Sequence, residues 1–149
     1  MNAQGRGRQI LIHGLALVLF GLLWGLAVPH TPFPRLALGA HIQFAINGML
    51  FILMAVLLIS LPHAVSARAA FVMWLAAWLT WLMGFSEVAN AWWGTREILP
   101  LAAQQAGASG ASAWQELLVT LAHVLSGTAL LLAWSLLLAG FVKHPGQPR

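Results

Sequence analysis

Four long apolar runs, each broken off by proline, glycine or charge, set the architecture of this chain. The first extends from Ile10 to about Val28 and ends at Pro29, Pro32 and Pro34; the second runs from about Leu38 to Leu61 and stops at Pro62. The third covers about Ala69 to Trp93, and the fourth about Trp114 to Phe141. Each is close to or above the roughly 20 apolar residues that a helix needs to cross the hydrocarbon layer. The pattern predicts an all-α fold, a single integral-membrane domain over 1–149 built as a bundle of four transmembrane helices in a lipid bilayer. The first run is of span length and no small-x-small cleavage site follows it, so it reads as a retained helix rather than a signal peptide. One long connection, 94–112, separates the last two spans. Its second half is nearly all small and polar residues, which fits either a disordered segment or a lid.

Against this background the polar positions inside the spans stand out, because each costs free energy in lipid. The second helix carries the densest set, GAHIQFAINGM over Gly39–Met49. His41 is followed by Ala45 and Gly48 at spacings of four and seven, which clears its flank of bulk for another helix or a planar ligand. Asn47 stands roughly 120° round the helix and about 9 Å along its axis from His41, so the two address different sides of a site larger than one small ion. On the third helix, Thr80, Gly84, Glu87 and Ala91 recur at helical spacing with Asn90 beside them. Glu87 should lie about two turns inside the helix end, where a carboxyl must be protonated or paired. On the fourth, Glu116, Thr120, His123 and Gly127 share one face. Ser112 with Gln115 has the capping-box pattern, and Glu116 suits the positive end of the helix dipole. His13 reads as an interfacial or helix-bonding histidine and His63 as a solvated loop residue. Gly14, Gly21 and Gly25 give the first helix a small-residue face for close packing.

Composition narrows the chemistry. The 149 residues are 60% hydrophobic and 7% charged, with eight tryptophans and neither tyrosine nor cysteine, whereas a soluble domain is about a quarter charged. The net charge of +4 comes from residues bordering apolar runs, which anchor to headgroups and imply no nucleic-acid partner. Without cysteine there is no disulfide, thiolate nucleophile, iron–sulfur cluster or zinc–thiolate site. Arg6, Arg8, Arg68, Lys143 and Arg149 fall on one side of four spans, against Arg35 and Arg96 on the other. The chain is therefore expected in the inner (plasma) membrane, multi-pass, with both termini cytoplasmic. In that topology His41, Gln43 and Asn47 share the outer half of the bundle with Glu87, Asn90, Glu116, Thr120 and His123, with only His13 at the opposite end, which predicts one functional pocket. Such a pocket suits a metal centre on His41 or His123, or acid–base chemistry by Glu87. The spacing is no zinc motif; one histidine beside a cleared flank suits axial ligation of a haem better than a tetrahedral ion.

The segment Ala40-His41 through Asn47-Gly48-Met49, A-H-x5-N-G-M, resembles the second-helix signature of styrene oxide isomerases and the related hydroxylaminobenzene mutases. His13-Gly14 ahead of an apolar helix extends the resemblance. Trp93-Gly94, Leu99-Pro100-Leu101-Ala102 and Trp114-Gln115-Glu116 are more similar to the mutase branch. The resemblance implies a small membrane isomerase, trimeric in the styrene oxide branch, that binds haem b near subunit interfaces. His41 would be its axial ligand beside the flank cleared by Ala45 and Gly48, and Asn47 would face a small aromatic substrate. Ferric iron then acts as a Lewis acid on a C–O or N–O bond, and a group migrates without net redox change. Styrene oxide isomerases use a tyrosine on the third helix, and this chain has none. Asn90 or Trp92 must take over that orienting role, or the substrate differs. The expectation is a mutase-like conversion of an arylhydroxylamine to an aminophenol, with epoxide-to-aldehyde isomerisation as the alternative. Two further readings are a haem-binding electron-transfer subunit, for which His123 is the available second ligand, and a structural or small-solute membrane protein without cofactor.

Overall fold

Proline and glycine place the helix ends in the computed structural model, which describes residues 3–143. Helix α1 spans Ala3–Ala27 and runs into a 3-10 turn at Val28–His30; α2 follows at Pro34–Ser60. Pro34 occupies the first turn of α2, where its missing N–H is not needed. Helix α3 covers Ala67–Trp93, opened by Ser66, whose Oγ accepts from the Ala69 N–H, and closed by Gly94 at φ 67°. A short α4, Pro100–Ala106, precedes α5 at Ala113–Val142. No strand occurs among the described residues, and four helices are long and apolar enough to cross a membrane. Arg149, used above in the orientation argument, lies outside the described residues.

Three expectations change. Helix α1 starts seven residues before Ile10, at Ala3, because its polar first turns have partners: Gly7 packs on Leu58 and Ile59, and the Arg6 guanidinium lies 5.0 Å from the Phe71 ring centroid and 4.5 Å from that of Trp74. The 94–112 connection is ordered around α4 and one carboxylate. Glu116 Oε1 and Oε2 accept from the N–H groups of Arg96, Glu97 and Ala111 at 3.0–3.1 Å, which ties both ends of the loop to the start of α5. Gln115 Oε1 caps Ser112 at 3.0 Å from its N–H and 2.6 Å from its hydroxyl. His63 is half-buried rather than solvated: Nε2 donates to the Leu58 carbonyl at 3.0 Å and Nδ1 accepts from the Val65 N–H at 3.1 Å.

The spans pack as two hairpins, α1 with α2 and α3 with α5, joined by contacts of α3 with α1 and α2. Between α1 and α2 the approach is close enough that only glycine fits. A Cβ at Gly48 would lie 2.8 Å from the Gly14 carbonyl oxygen, and one at Gly21 would lie 2.9 Å from Phe44 Cβ. Phe44 in turn fills the space left by Gly84 on α3, among Phe20, Trp81 and Phe85. Helix α5 rests principally on α3 and leaves its approach to α2 loosely closed.

Gly48→Val should therefore destabilise the detergent-solubilised protein by about 1–3 kcal/mol through overpacking against α1. Gly127→Ala, where an added Cβ meets nothing within 4 Å, should leave the thermal midpoint unchanged or raised. Equal losses in the two variants would contradict this account of the α1–α2 contact.

Candidate functional site

His41 is seated by α1. Its Nδ1–H donates to the Gly21 carbonyl at 2.8 Å, and Gly25 opens the space for the ring, since a Cβ there would stand 2.9 Å from Nδ1. A carbonyl only accepts, so Nδ1 carries the hydrogen and Nε2 of the neutral ring keeps a free lone pair. Nε2 makes no hydrogen bond among the described residues and is not enclosed. The sequence marked Gly21 and Gly25 as a close-packing face; that this face seats His41 depends on which helix meets it.

Ala45 and Gly48, expected to border a planar cofactor, border α1 instead. Gly48 lies against Gly14 and Val18, and the Ala45 amide lies against Gly21. Of the two occupants that the cleared flank admits, a helix takes it, because glycines on both partners permit backbone contact.

A second polar group lies between α3 and α5. Glu87 is fully buried, and its Oε1 is 2.6 Å from His123 Nε2, with the His123 side chain 10% exposed. His123 Nδ1 is 2.7 Å from the Val119 carbonyl, so both ring nitrogens are engaged. In this arrangement His123, unlike His41, offers no free ring nitrogen to a metal. Glu87 Oε2, Asn90 Nδ2 and Thr120 Oγ1 are buried without partners. Asn90 Oδ1 accepts from the N–H and hydroxyl of Thr95, both at 2.7 Å, and so fastens the end of α3. Trp92 is half exposed and lies against Trp24 on the bundle's outside, away from this group.

The expected single pocket thus divides across α2. On one flank His41 faces α1; on the other, Gly39, Gln43 and Asn47 follow at four-residue spacing, and Gly39 faces Glu87 Oε2. Asn47, 6% exposed, donates through Nδ2 to Gln43 Oε1 at 3.0 Å, which leaves Asn47 Oδ1 and Gln43 Nε2 unbonded among the described residues. Further along the same flank, Leu50 joins Leu130, Leu131 and Trp134 of α5 around a groove of about 330 Å³. Nothing in the sequence pattern marks Trp134, whose Nε1 is buried and unpartnered, or the approach of Gly39 to Glu87. A larger groove of about 400 Å³ is bounded by Leu82 and the outward side of α5, including Trp114 and Leu121, and holds none of these polar residues. His13 is structural: its Nδ1 accepts from the Trp81 indole at 3.1 Å, and its ring meets Trp78 edge-on. Among the described residues no cluster of three histidines and carboxylates forms, so a chelated bare ion has no ligand set.

The model of the styrene oxide isomerase family matches residues 6–142. Hydroxylaminobenzene mutase HabB of Ectopseudomonas oleovorans is 30% identical over 141 residues, 94% of this chain and 84% of HabB. Hydroxylaminobenzene mutase HabA of the same organism is 32% identical over 92 residues, 60% of this chain and 67% of HabA. No solved structure matches. A match from the first turns of α1 to the last residue of α5 takes in all four spans, and the chain belongs to the styrene oxide isomerase family of isomerases.

Proposed function

We propose that this isomerase rearranges an arylhydroxylamine to an aminophenol, with a ferric haem b held on His41. The observation that carries the reading is the His41 imidazole, tied at Nδ1 to the Gly21 carbonyl and free at Nε2. A single imidazole whose second nitrogen bonds a carbonyl is the donor that axial haem ligation asks for, and the hydrogen bond fixes both tautomer and ring orientation. Bound there, ferric haem supplies a Lewis acid for the substrate oxygen. The choice of substrate rests on the two mutases among the relatives and on the absence of tyrosine from the chain. An arylhydroxylamine and its aminophenol have the same atoms, so the rearrangement needs no external oxidant or reductant.

Within one chain His41 and Asn47 occupy different flanks of α2, so one substrate molecule reaches both only when His41 of one copy is set against the α2–α5 side of another. Head-to-tail contacts form a ring when the rotation between copies closes, and a homotrimer is the ring we propose. Asn47 Oδ1 and Gln43 Nε2, both unbonded, then orient the polar end of the substrate from the second copy. The apolar groove at Leu50, Leu130 and Leu131 continues beyond Asn47 on the same flank and keeps that end of the site dry. We place the protein in the inner membrane with both termini cytoplasmic, because Arg6, Arg8, Arg68 and Lys143 outnumber Arg35 and Arg96 across the spans.

Protein purified from haem-replete cells should show a Soret band and convert N-phenylhydroxylamine to an aminophenol without reductant. His41→Ala should lose the band and about a hundredfold or more of the rate. Iron-free protein with full turnover would contradict the cofactor, and faster conversion of styrene oxide would favour the epoxide reaction. Co-expressed His41→Ala and Asn47→Ala chains should recover activity that neither variant has alone; no recovery in mixed assemblies would contradict the shared site.

A further inference from the structure

His123 has its tautomer fixed by its own helix. The Val119 carbonyl, 2.7 Å from Nδ1, only accepts, so Nδ1 carries a hydrogen in every state of the ring. The 2.6 Å contact between Nε2 and Glu87 Oε1 then has one proton to hold. It is either a carboxylic acid donating to a neutral imidazole or a carboxylate accepting from an imidazolium. Both arrangements have zero net charge, so the proton moves between the two side chains without placing an uncompensated charge in the membrane interior.

A pair built only to lock two helices would bond both carboxylate oxygens, because a buried unbonded oxygen costs free energy. Glu87 does not. Its side chain is fully buried with Oε2 unpartnered, and one turn away on each helix Asn90 Nδ2 and Thr120 Oγ1 are also buried and unpartnered. Facing Oε2 the chain has Gly39, whose missing side chain leaves the oxygen in front of bare backbone; a Cβ there would stand 3.3 Å away. The same flank of α2 continues to Gln43 and Asn47, which carry the other unbonded polar atoms. At Gly127 on α5 the space beside the helix is open. The polar arrangement is incomplete between α2 and α5, two spans that do not pack directly on each other.

We propose that Glu87 and His123 form a proton-exchange pair in which Glu87 Oε2 takes the ring proton of the substrate and returns it to the substrate nitrogen. The inference rests on the arylhydroxylamine rearrangement proposed above. In that reaction the N–O bond breaks and a C–O bond forms at a ring carbon. The same carbon gives up its proton, the C–H electron pair restores the aromatic ring, and the nitrogen gains a proton. Glu87, as carboxylate beside the His123 imidazolium, accepts the first proton at Oε2 and delivers it in the second transfer. The pair ends as it began, and no co-reactant is consumed. Glu87 touches the substrate and is the catalytic residue; His123 acts through it and is a positioning residue.

The test uses the full-length protein with N-phenylhydroxylamine and its ring-deuterated form, with haem content read from the absorption spectrum of each preparation. Glu87→Gln should lower kcat by about 10²–10⁴-fold while the Soret band and KM stay at wild-type values. His123→Gln, which keeps a hydrogen-bonding amide but no transferable proton, should lower kcat less and enlarge the ring-deuterium isotope effect. Only three carboxylate side chains exist in the chain, so a glutamate-labelled sample also reports directly. Substrate should bring up an infrared band of a protonated glutamic acid in the wild type that Glu87→Gln lacks. Wild-type kcat in a haem-replete Glu87→Gln preparation would overturn the proposal. If that variant does not fold, an unchanged glutamate band in wild-type protein during turnover overturns it equally. Wild type that turns over without a Soret band, yet loses its rate in Glu87→Gln, removes the haem and keeps the pair. Wild type that does not convert N-phenylhydroxylamine removes the rearrangement and, with it, the pair's task.

Discussion

Backbone contact between α1 and α2 is the constraint from which the rest of the structure follows. Lipid chains are as apolar as leucine, so two membrane helices associate through packing and hydrogen bonds rather than through exclusion from water. Gly14 against Gly48, and Gly21 against Phe44 and Ala45, bring the two backbones as near as they can come. At that separation a main-chain carbonyl of α1 falls within hydrogen-bonding distance of a side chain on α2, and Gly21 holds His41. A larger residue at Gly21 or Gly25 would displace the imidazole, and Nε2 would lose the direction in which it offers its lone pair. Packing of the least specific kind, glycine on glycine, thus fixes the chemistry of the most distinctive side chain.

The polar residues in the spans divide by whether their bonds are complete. Trp81 to His13, Thr80 to the Ala76 carbonyl and Ser126 to the Leu79 carbonyl are satisfied pairs that tie helices together or bond back along one. Glu116 belongs with them, since its carboxylate collects the loose amides of the loop that α3 and α5 share. Around Glu87 the bonds are not complete, and this deficit sits beside α2 and α5, two spans that do not pack directly on each other. Incomplete polar bonding in lipid is costly enough to need a reason, and under the proposed function a polar substrate head would supply one.

Much of this was legible in the sequence, though only along one dimension. Hydrophobic length gives the spans and the depth of each polar residue, so the gathering of Glu87, His123 and Asn47 towards the end of the bundle away from α1's start was accessible from residue number alone. Azimuth was not. Which side of α2 meets α1 depends on the glycines of both helices together, so the separation of His41 from Gln43 and Asn47 required the packed structure. The Gly94–Ser112 connection stayed open between two readings for a related reason. Pro100 is a first-turn residue for α4, but seven residues carry too little periodicity to announce a helix, and the acceptor that orders the loop, Glu116, comes from the next span. His63 has the local acceptors and donors of a helix end, which depend on backbone geometry rather than on residue type.

Under the proposed function, the imidazole seated by glycine would hold the haem iron, and the polar groups left unbonded on Glu87, Gln43 and Asn47 would address the substrate. Electron paramagnetic resonance of the ferric protein, with histidine labelled in its ring nitrogens, measures this most directly. The account predicts a high-spin signal with coupling to a single imidazole, because His123 is committed to Glu87 and Val119. A low-spin signal coupled to two imidazoles would contradict it.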